Sequence, residues 1–337
     1  MNSARNIVQN TLVPHQAFET AKKAVEQCFA YADNAAEPIC FALIGESRTG
    51  KTRVQEECVA LHPPVRNKDG LRSPILWVKT PSKPTVKALA EVMLQELQDP
   101  KPNSGTENSM TTRMVNLLRK CETRMVILDE FQHFYDKTTQ KVMFHVSDWL
   151  KVLADDAGVA LVVSGLPTCN AVIEQNEQLA GRFVAPVLMP RFDWTLPAHR
   201  DEFTSIVGAF HESIQTYFDL PNLAGGEMAF RCYCGTGGLV GYLAKFLRQA
   251  VWNALDSGTT RITLADLQAA HDQAVWQRSG LVGVARPFAA KFEAIPTSEL
   301  LERVRSLRAP VSPPPKAKRS RAGGAVKIGV QQALSAT

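Results

Sequence analysis

The chain has 337 residues, of which 45% are hydrophobic and 21% are charged. This is enough apolar material for a large core, but the length exceeds that at which one core usually keeps growing, so we expect a main domain and a smaller one. No apolar run of about 20 residues is present, and the polar N-terminus lacks a secretion-signal pattern. We therefore expect a cytosolic protein, with no membrane partner.

The net charge of +5 is unevenly distributed, because residues 311–337 carry basic residues and no acidic residue. Without this segment the basic and acidic residues are equal in number, so the body of the protein has no global field that would attract nucleic acid. The prolines at 313–315 and the Gly/Ala/Ser-rich remainder cannot bury enough apolar surface to fold. We predict a flexible basic tail that binds DNA or docks a protein partner.

The seven cysteines include no C-x-x-C pair, and most lie in apolar patterns. The seven histidines lack the spacing of metal ligands. We expect buried thiols, without disulfides or a zinc site.

Apolar spacing predicts strands that alternate with helices up to about residue 192. This order is typical of an α/β fold in which helices cover both faces of a parallel sheet. Pro186 restricts the last predicted strand to an edge of the sheet. The predicted strands are 39–44, 75–78, 125–128, 159–164 and 183–189, and the predicted helices are 16–31, 51–61, 85–97, 110–120, 144–153 and 169–176.

From about residue 193 the strand signal disappears, and only helical spacing follows, at 199–217, 224–234, 239–256 and 264–277. This change predicts a small all-helical domain. The expected organisation is an N-terminal arm at 1–14, an α/β domain at 15–192, a helical domain at 193–280, an extension at 281–310 and the tail at 311–337.

One stretch matches the phosphate-binding pattern G-x-x-x-x-G-K-[ST] and lies between a predicted strand and a predicted helix, as this motif requires. Its glycines let backbone N–H groups surround phosphates at a helix N-terminus, while Lys51 reaches the terminal phosphates and Thr52 binds Mg²⁺. The sequence therefore predicts ATP and Mg²⁺ as cofactors. The stretch consists of Gly45, Glu46, Ser47, Arg48, Thr49, Gly50, Lys51 and Thr52.

An acidic strand supplies the second half of the predicted site, since the apolar residues 125–128 are followed by Asp129 and Glu130. Asp129 is predicted to hold Mg²⁺ and its water shell, and Glu130 to orient or deprotonate the water that attacks the γ-phosphate. The alternative is a strand that ends in two solvated acids. Ser164, at the end of the next strand, is a candidate polar group beside the γ-phosphate. A turn cap before Gly165 and Pro167 is an alternative of similar weight.

Taken together, the residues of these motifs resemble AAA+ ATPases, and with several further short stretches they resemble more closely the ATP-dependent transposition regulators of the TniB, TnsC and Mu B group. The resemblance extends over roughly residues 12–290. Its most specific parts are Pro81–Leu89 with Leu97–Pro100, Asp129–Phe134, Thr236–Leu243 with Leu247–Ala250, and Arg286–Phe288.

This resemblance implies an AAA+ P-loop ATPase domain at 15–192, and it implies that the helical domain at 193–280 is a lid over the nucleotide. It implies a regulator that assembles head-to-tail, as a filament or ring, on target duplex DNA and recruits or activates a transposase. A target-selection adaptor is a further implied partner. Head-to-tail contacts that do not close into a ring give helical filaments. ATP hydrolysis, which would be slow and stimulated by partners, would disassemble the polymer.

The resemblance also suggests roles for two cations. Arg182 stands before the last strand, where an AAA+ subunit projects an arginine finger into its neighbour; an ordinary surface arginine is the alternative. The lid helix would normally offer an arginine to the γ-phosphate, but Val240 and Tyr242 occupy the matching positions. We therefore expect slow hydrolysis or a nucleotide contact from Lys245.

By analogy with the family, DNA is expected to contact the region between the second strand and the acidic strand, through phosphates and without sequence preference. Solvated lysines on an ordinary helix are the alternative. The candidates are Lys83, Thr85, Lys87, Lys101 and Arg113.

Two other functions remain open. A different DNA-associated AAA+ ATPase, such as a helicase loader, would use the same nucleotide site. A signalling or scaffold ATPase without a DNA role would fit the neutral body of the chain.

Overall fold

The computed structural model describes residues 2–32, 37–68, 70–275 and 286–306, so the predicted basic tail lies outside the described residues. The strands are β1 (Cys40–Gly45), β2 (Val65–Asn67), β3 (Gly70–Arg72), β4 (Ile75–Lys79), β5 (Met125–Asp129), β6 (Ala160–Gly165) and β7 (Val187–Met189). The helices are α1 (Asn2–Arg5), α2 (Ile7–Asn10), α3 (Gln16–Tyr31), α4 (Lys51–Leu61), α5 (Val86–Glu96), α6 (Glu107–Lys120), α7 (His133–Lys137), α8 (Gln140–Ala157), α9 (Cys169–Ile173), α10 (Glu177–Ala180), α11 (Pro197–Gln215), α12 (Gly226–Thr236), α13 (Val240–Asp256), α14 (Leu264–Ala274) and α15 (Ser298–Ser306).

Five strands form a parallel sheet in the order β4-β5-β6-β1-β7, and β2 and β3 form a separate antiparallel hairpin. The first strand, β1, therefore lies between β6 and β7. The chain continues from β1 to β4 at one edge of the sheet, whereas it continues from β6 past β1 to β7 at the other edge. In an open α/β sheet, the crevice at the carboxyl ends of the strands at such a point is the usual ligand site. The loop after β1 opens at this crevice.

Two apolar cores cover the two faces of the sheet, because the side chains of each strand alternate between them. Phe41 and Leu43 of β1 pack in the core beneath α3 and α4, with Phe18 and Val54. Ala42 and Ile44 belong to the opposite core, which is built mainly by α5, α6, α8 and α9. The predicted α/β fold is confirmed.

A third core joins the helices from α11 to α14. Its aromatic members include Phe203, Phe230, Tyr233 and Phe246, all almost fully buried. Val8 of α2 lies in the same core, so the N-terminal arm packs against this helical unit.

The Arg286–Phe288 stretch attaches the C-terminal segment to the helical unit. Phe288 is buried beside Phe246, with ring centroids 5.1 Å apart, and its N–H donates to Gln268 across 2.9 Å. The buried Arg231 donates to the backbone carbonyls of Pro287, Ala289 and Phe292. This stretch therefore has a structural role in the described chain.

Each predicted strand and helix is present, and most differences are at the ends of these elements. The sequence did not predict β2, β3, α1, α2, α7, α10 or α15. α6 begins three residues before the predicted start, because the Thr106 side chain accepts from the Ser109 N–H and caps the helix. β7 is shorter than predicted and lies at the edge, where Pro186 and Pro190 flank it and remove ladder donors. None of the helices in the described ranges is both long and apolar enough to span a bilayer.

Candidate nucleotide site

The predicted phosphate-binding loop connects β1 to α4 with the geometry that its glycines allow. Gly50 precedes α4 with a φ of +101°, which a side chain would strain. A Cβ on Gly45 would lie 2.4 Å from the carbonyl oxygen of Met189 on β7, so only glycine fits there. Arg48 is also left-handed, with a φ of 72°, an uncommon conformation for a residue with a side chain. The backbone of this loop is strongly constrained.

Lys51 folds back over the loop. Its Nζ donates to the carbonyl oxygens of Gly45 at 2.9 Å and Glu46 at 2.7 Å. Burial lowers the pKa of Lys51, whereas the nearby carboxylates of Asp129 and Glu130 act in the opposite direction. A bound phosphate would add negative charge beside a lysine whose charged form burial disfavours.

Thr52 and Asp129 form the pair that could hold a divalent cation. The Thr52 hydroxyl donates to Asp129 Oδ2 across 3.3 Å. Asp129 is 2% exposed, and its Oδ1 accepts from Gln55 Nε2 at 3.3 Å and from the Glu130 N–H at 3.0 Å. Hydroxyl and carboxylate oxygens are the ligands that Mg²⁺ prefers, so these residues fit the predicted ion.

Sequence reasoning missed the support behind Asp129. Gln55 is fully buried, and its Oε1 accepts from the indole N–H of Trp77 across 2.7 Å. Trp77 of β4 and Gln55 of α4 therefore fix the orientation of the carboxylate. The available signal was a glutamine one helical turn after Lys51, on the same face of α4.

Glu130 lies directly after β5 and is exposed, with a φ of 55°. A non-glycine residue in this region is uncommon and often marks a functional position. The side-chain amide of Gln132 donates to the Glu130 carboxylate. The backbone therefore turns Glu130 out of the strand direction, and Gln132 holds its side chain.

Ser164 lies on the same face of the sheet as Asp129. Val162 and Ile127 belong to the same core as Val54 of α4, and two residues later on each strand Ser164 and Asp129 project to that side. The Ser164 hydroxyl is buried and has no hydrogen-bond partner among the described residues. It makes no capping bond, which disagrees with the capping alternative.

The helical unit touches the phosphate-binding loop through the first turn of α13. The Gly241 N–H donates to the Arg48 carbonyl across 2.9 Å, and the Arg48 guanidinium lies 5.7 Å from the centroid of the Tyr242 ring. Lys245 is partly exposed one turn after Gly241, on the same face of α13. Lys245, the residue predicted to contact the nucleotide from the lid, thus lies on the face of α13 that meets the phosphate-binding loop.

A second missed contact neutralises the carboxylate within the loop. Arg191, two residues after β7, forms an ion pair with Glu46 at 2.5 Å and donates to the Arg305 carbonyl at 3.2 Å. The pair offsets the repulsion that Glu46 would exert on a phosphate, and it connects the loop to α15. No local pattern in the sequence indicates this pairing.

Arg182 lies at the other end of the sheet. Its carbonyl accepts from the N–H of Cys40, the first residue of β1, whereas the phosphate-binding loop follows the last residue, Gly45. The two ends of this strand are roughly 16 Å apart. The Arg182 side chain is 15% exposed and ion-paired with Asp155 of α8, away from the loop of its own chain.

The five candidate DNA-binding residues differ in whether their side chains are exposed or already make hydrogen bonds within the protein. Lys83, Lys87 and Lys101 are exposed. The Thr85 hydroxyl accepts from the Ala88 N–H at 3.0 Å and caps α5.

The Arg113 side chain is bound to the loop that precedes α6. Its guanidinium forms an ion pair with Asp99 and donates to the carbonyls of Lys101 at 3.0 Å and Ser104 at 3.1 Å. This arginine holds the loop that carries Lys101.

A phosphate-binding loop at the switch point of the sheet, an acidic strand two positions away and a helical unit over the loop define a P-loop protein with the AAA+ fold. Solved structures agree with this fold. The superposition on Cdc6p from Pyrobaculum aerophilum covers 81% of this chain and 72% of that one, with a TM-score of 0.59 and 15% identity. The Aeropyrum pernix ORC2 protein, in ADPNP-ADP complexes, gives the same TM-score and coverage at 14% identity.

The ORC1 protein of Aeropyrum pernix, solved in complex with DNA, matches with a TM-score of 0.53 and 15% identity over 80% of this chain and 69% of that one. No curated protein matches the chain significantly. The profile of the bacterial TniB protein matches residues 4–193, more than half of the chain. The chain belongs to the TniB family.

Proposed function

We propose that this protein is an ATP-dependent regulator of DNA transposition, which oligomerises on target duplex DNA and recruits or activates a transposase. The observation that carries the proposal is the cluster of Lys51, Thr52 and Asp129 beside the lid helix, in a chain of the TniB family. The cluster supports nucleotide binding, and the family supports the process that the nucleotide controls.

The chain's own residues fit ATP hydrolysis. Lys51 binds the terminal phosphates, and Thr52 and Asp129 would hold Mg²⁺, which neutralises charge that develops on the phosphates. Glu130 orients or deprotonates the attacking water. The buried Ser164 hydroxyl is available to contact the γ-phosphate.

In a head-to-tail assembly, Arg182 could serve as an arginine finger for a neighbouring subunit. This arginine is too far from its own loop to stabilise the transferred phosphoryl group there, but a neighbouring subunit could present its nucleotide to it. Arg182 would have to leave Asp155 to serve as a finger. ATP at a subunit interface makes assembly dependent on the nucleotide.

DNA would contact exposed cations through its phosphates. Lys83 lies in the loop before α5 and Lys87 in the first turn of that helix, with both side chains exposed. Such contacts are independent of sequence and weaken steeply with salt.

Co-sedimentation with duplex DNA tests the proposal directly. Protein with ATP and Mg²⁺ is expected to sediment with DNA as oligomers at low salt, and to remain free with ADP. A monomeric species that ignores DNA in ATP would contradict the proposal. DNA binding that is equal with and without ATP would favour a signalling or scaffold ATPase, and capture of a replicative helicase without any effect on transposition would favour a helicase loader.

A charge-matched pair of variants separates a local DNA surface from general attraction. Lys83→Glu with Lys87→Glu is expected to abolish DNA retention, because it removes two phosphate contacts and adds repulsion. Lys23→Glu with Lys291→Glu changes the net charge equally at exposed positions elsewhere and is expected to leave retention unchanged. Equal losses in both variants would contradict a DNA surface at Lys83 and Lys87.

A further inference from the structure

Gln132 forms a buried connection between Glu130 and the end of β6. This residue is 5% exposed although it lies two residues after the exposed Glu130. A polar side chain buried to this degree requires hydrogen-bond partners, and both ends of this amide have them.

The two ends of the amide contact different segments. Nε2 donates to the Glu130 carboxylate, and Oε1 accepts from the backbone N–H of Leu166 across 3.2 Å. The Cys169 thiol lies 4.0 Å from the same oxygen. A glutamine amide can donate and accept at once without carrying charge, and a carboxylate or an aliphatic side chain of similar size cannot.

The end of β6 is shaped to receive this amide. A Cβ on Gly165 would lie 2.2 Å from Gln132 Oε1 and 2.6 Å from the Cys169 sulfur, so a side chain at 165 would displace the amide. The Phe131 N–H also donates to the Ser164 carbonyl across 3.0 Å. The segment from Glu130 to Gln132 is therefore attached to Ser164–Leu166 by backbone and side-chain bonds.

We propose that Gln132 is a positioning residue for ATP hydrolysis, which holds the Glu130 carboxylate and couples it to the end of β6 that carries Ser164. A displacement of Ser164 by the γ-phosphate would move Gly165 and Leu166, and through the amide it would move Glu130. The inference rests on the proposed function, because it requires hydrolysis at this site. In this role Gln132 acts on the reaction through Glu130, whose carboxylate it holds.

The structure leads to a specific expectation for two substitutions. Gln132→Glu keeps the shape and the acceptor for the Leu166 N–H, but places a carboxylate where Glu130 now receives a donor. Gln132→Met removes both hydrogen bonds with little change in volume. Both should let the Glu130 carboxylate move from its position, and a misplacement of about 1 Å costs roughly 100-fold in rate.

The experiment measures DNA-stimulated ATP turnover together with nucleotide Kd and thermal midpoint. Both variants are expected to lower kcat by roughly 10- to 100-fold while KM and nucleotide Kd stay within about twofold. Gln175→Met is the matched control, since the Gln175 amide also makes a side-chain hydrogen bond, donating to the Ala171 carbonyl at 2.9 Å, but it lies in the segment after α9. It is expected to turn over at the wild-type rate.

A double-mutant comparison distinguishes positioning from a purely structural role. In single-turnover assays, Gln132→Met is expected to have no further effect once Glu130→Gln is present, because the group that it positions is already altered. Equal losses in the two backgrounds, or losses of kcat, nucleotide Kd and thermal midpoint together, would overturn the inference.

The outcomes also separate this inference from the proposed function. Wild-type protein that hydrolyses ATP on DNA, with Gln132 variants that match it, would overturn the positioning role alone. Wild-type protein that neither hydrolyses ATP nor sediments with DNA as oligomers in ATP would overturn both.

Discussion

The backbone N–H of Gly241 donates to the carbonyl of Arg48 across 2.9 Å, so the lid helix and the phosphate-binding loop are in direct contact. A Cβ at position 241 would lie 2.9 Å from that carbonyl oxygen and 3.1 Å from the Arg48 Cα. Both neighbours are backbone atoms of a constrained loop, so neither can move without altering the loop. Movements of the loop on binding phosphate are therefore expected to reach the lid.

Gly241→Ala should separate the lid from the loop. Overpacking of this kind costs roughly 1–3 kcal/mol, so ATP affinity is expected to fall by roughly 5- to 100-fold while the thermal midpoint changes little. Fluorescent nucleotide titration measures the effect. Gly226→Ala is the matched control, because a Cβ there meets no atom within 4 Å. Equal affinity in the two variants would contradict a role for the lid contact.

Nucleotide affinity should depend on pH through Lys51. Its pKa is lowered, mainly by burial, from an ordinary value of 10.5, and a bound polyphosphate favours the charged form. Binding therefore takes up a proton whenever the free protein has lost it. From about pH 8, where the phosphates are fully ionised, ATP affinity is expected to fall as pH rises through the lowered pKa.

Lys51→Arg is the control for this pH dependence, since a guanidinium keeps its charge throughout the range. Its affinity is expected to be independent of pH over the same window, whatever its absolute value. A parallel decline in wild type and variant would assign the effect to another group.

Glu130→Gln should separate binding from turnover. The amide keeps the size of the side chain but cannot accept a proton, so kcat is expected to fall by roughly 100- to 10,000-fold with nucleotide Kd unchanged. Oligomers on DNA should then persist after ATP is added, which sedimentation over time would show. Normal turnover would reassign the water-activating role.

Arg182→Ala should impair hydrolysis only in oligomers. Loss of an arginine that stabilises the transferred phosphoryl group costs roughly 1,000- to 100,000-fold in rate. Asp155→Ala is the matched variant, because it removes the same ion pair and leaves the arginine. It is expected to retain turnover. Equal defects in both variants, or a defect in isolated monomers, would indicate that the ion pair is purely structural.

Gln55→Leu should weaken Mg²⁺ binding. It removes a donor from Asp129 and leaves the Trp77 indole N–H without its acceptor. Loss of a residue that orients a metal ligand typically costs 10- to 100-fold in metal affinity, which Mg²⁺ titration of nucleotide binding would measure. Trp77→Phe, which leaves Gln55 in contact with Asp129, is expected to have a smaller effect. An unchanged requirement for Mg²⁺ in Gln55→Leu would exclude the supporting role.

The amino-acid sequence alone determined the fold class and the centre of the nucleotide site. The loop at 45–52 is one contiguous stretch, and its strand and helix can be predicted from apolar spacing on either side. Asp129 could be predicted because the carboxyl ends of parallel strands meet at one edge of a sheet. These features depend on local pattern, and the structure places Thr52 and Asp129 in contact.

Only the tertiary structure decided which side chains support or connect these groups. Gly241 meets Arg48, Arg191 pairs with Glu46 and Arg182 pairs with Asp155 through contacts between distant parts of the chain. No periodicity or motif encodes such contacts, because they depend on how separate helices and strands pack. Gln132 is a further example: its sequence position shows proximity to Glu130, but its bond to Leu166 exists only because β5 and β6 are neighbours in the sheet.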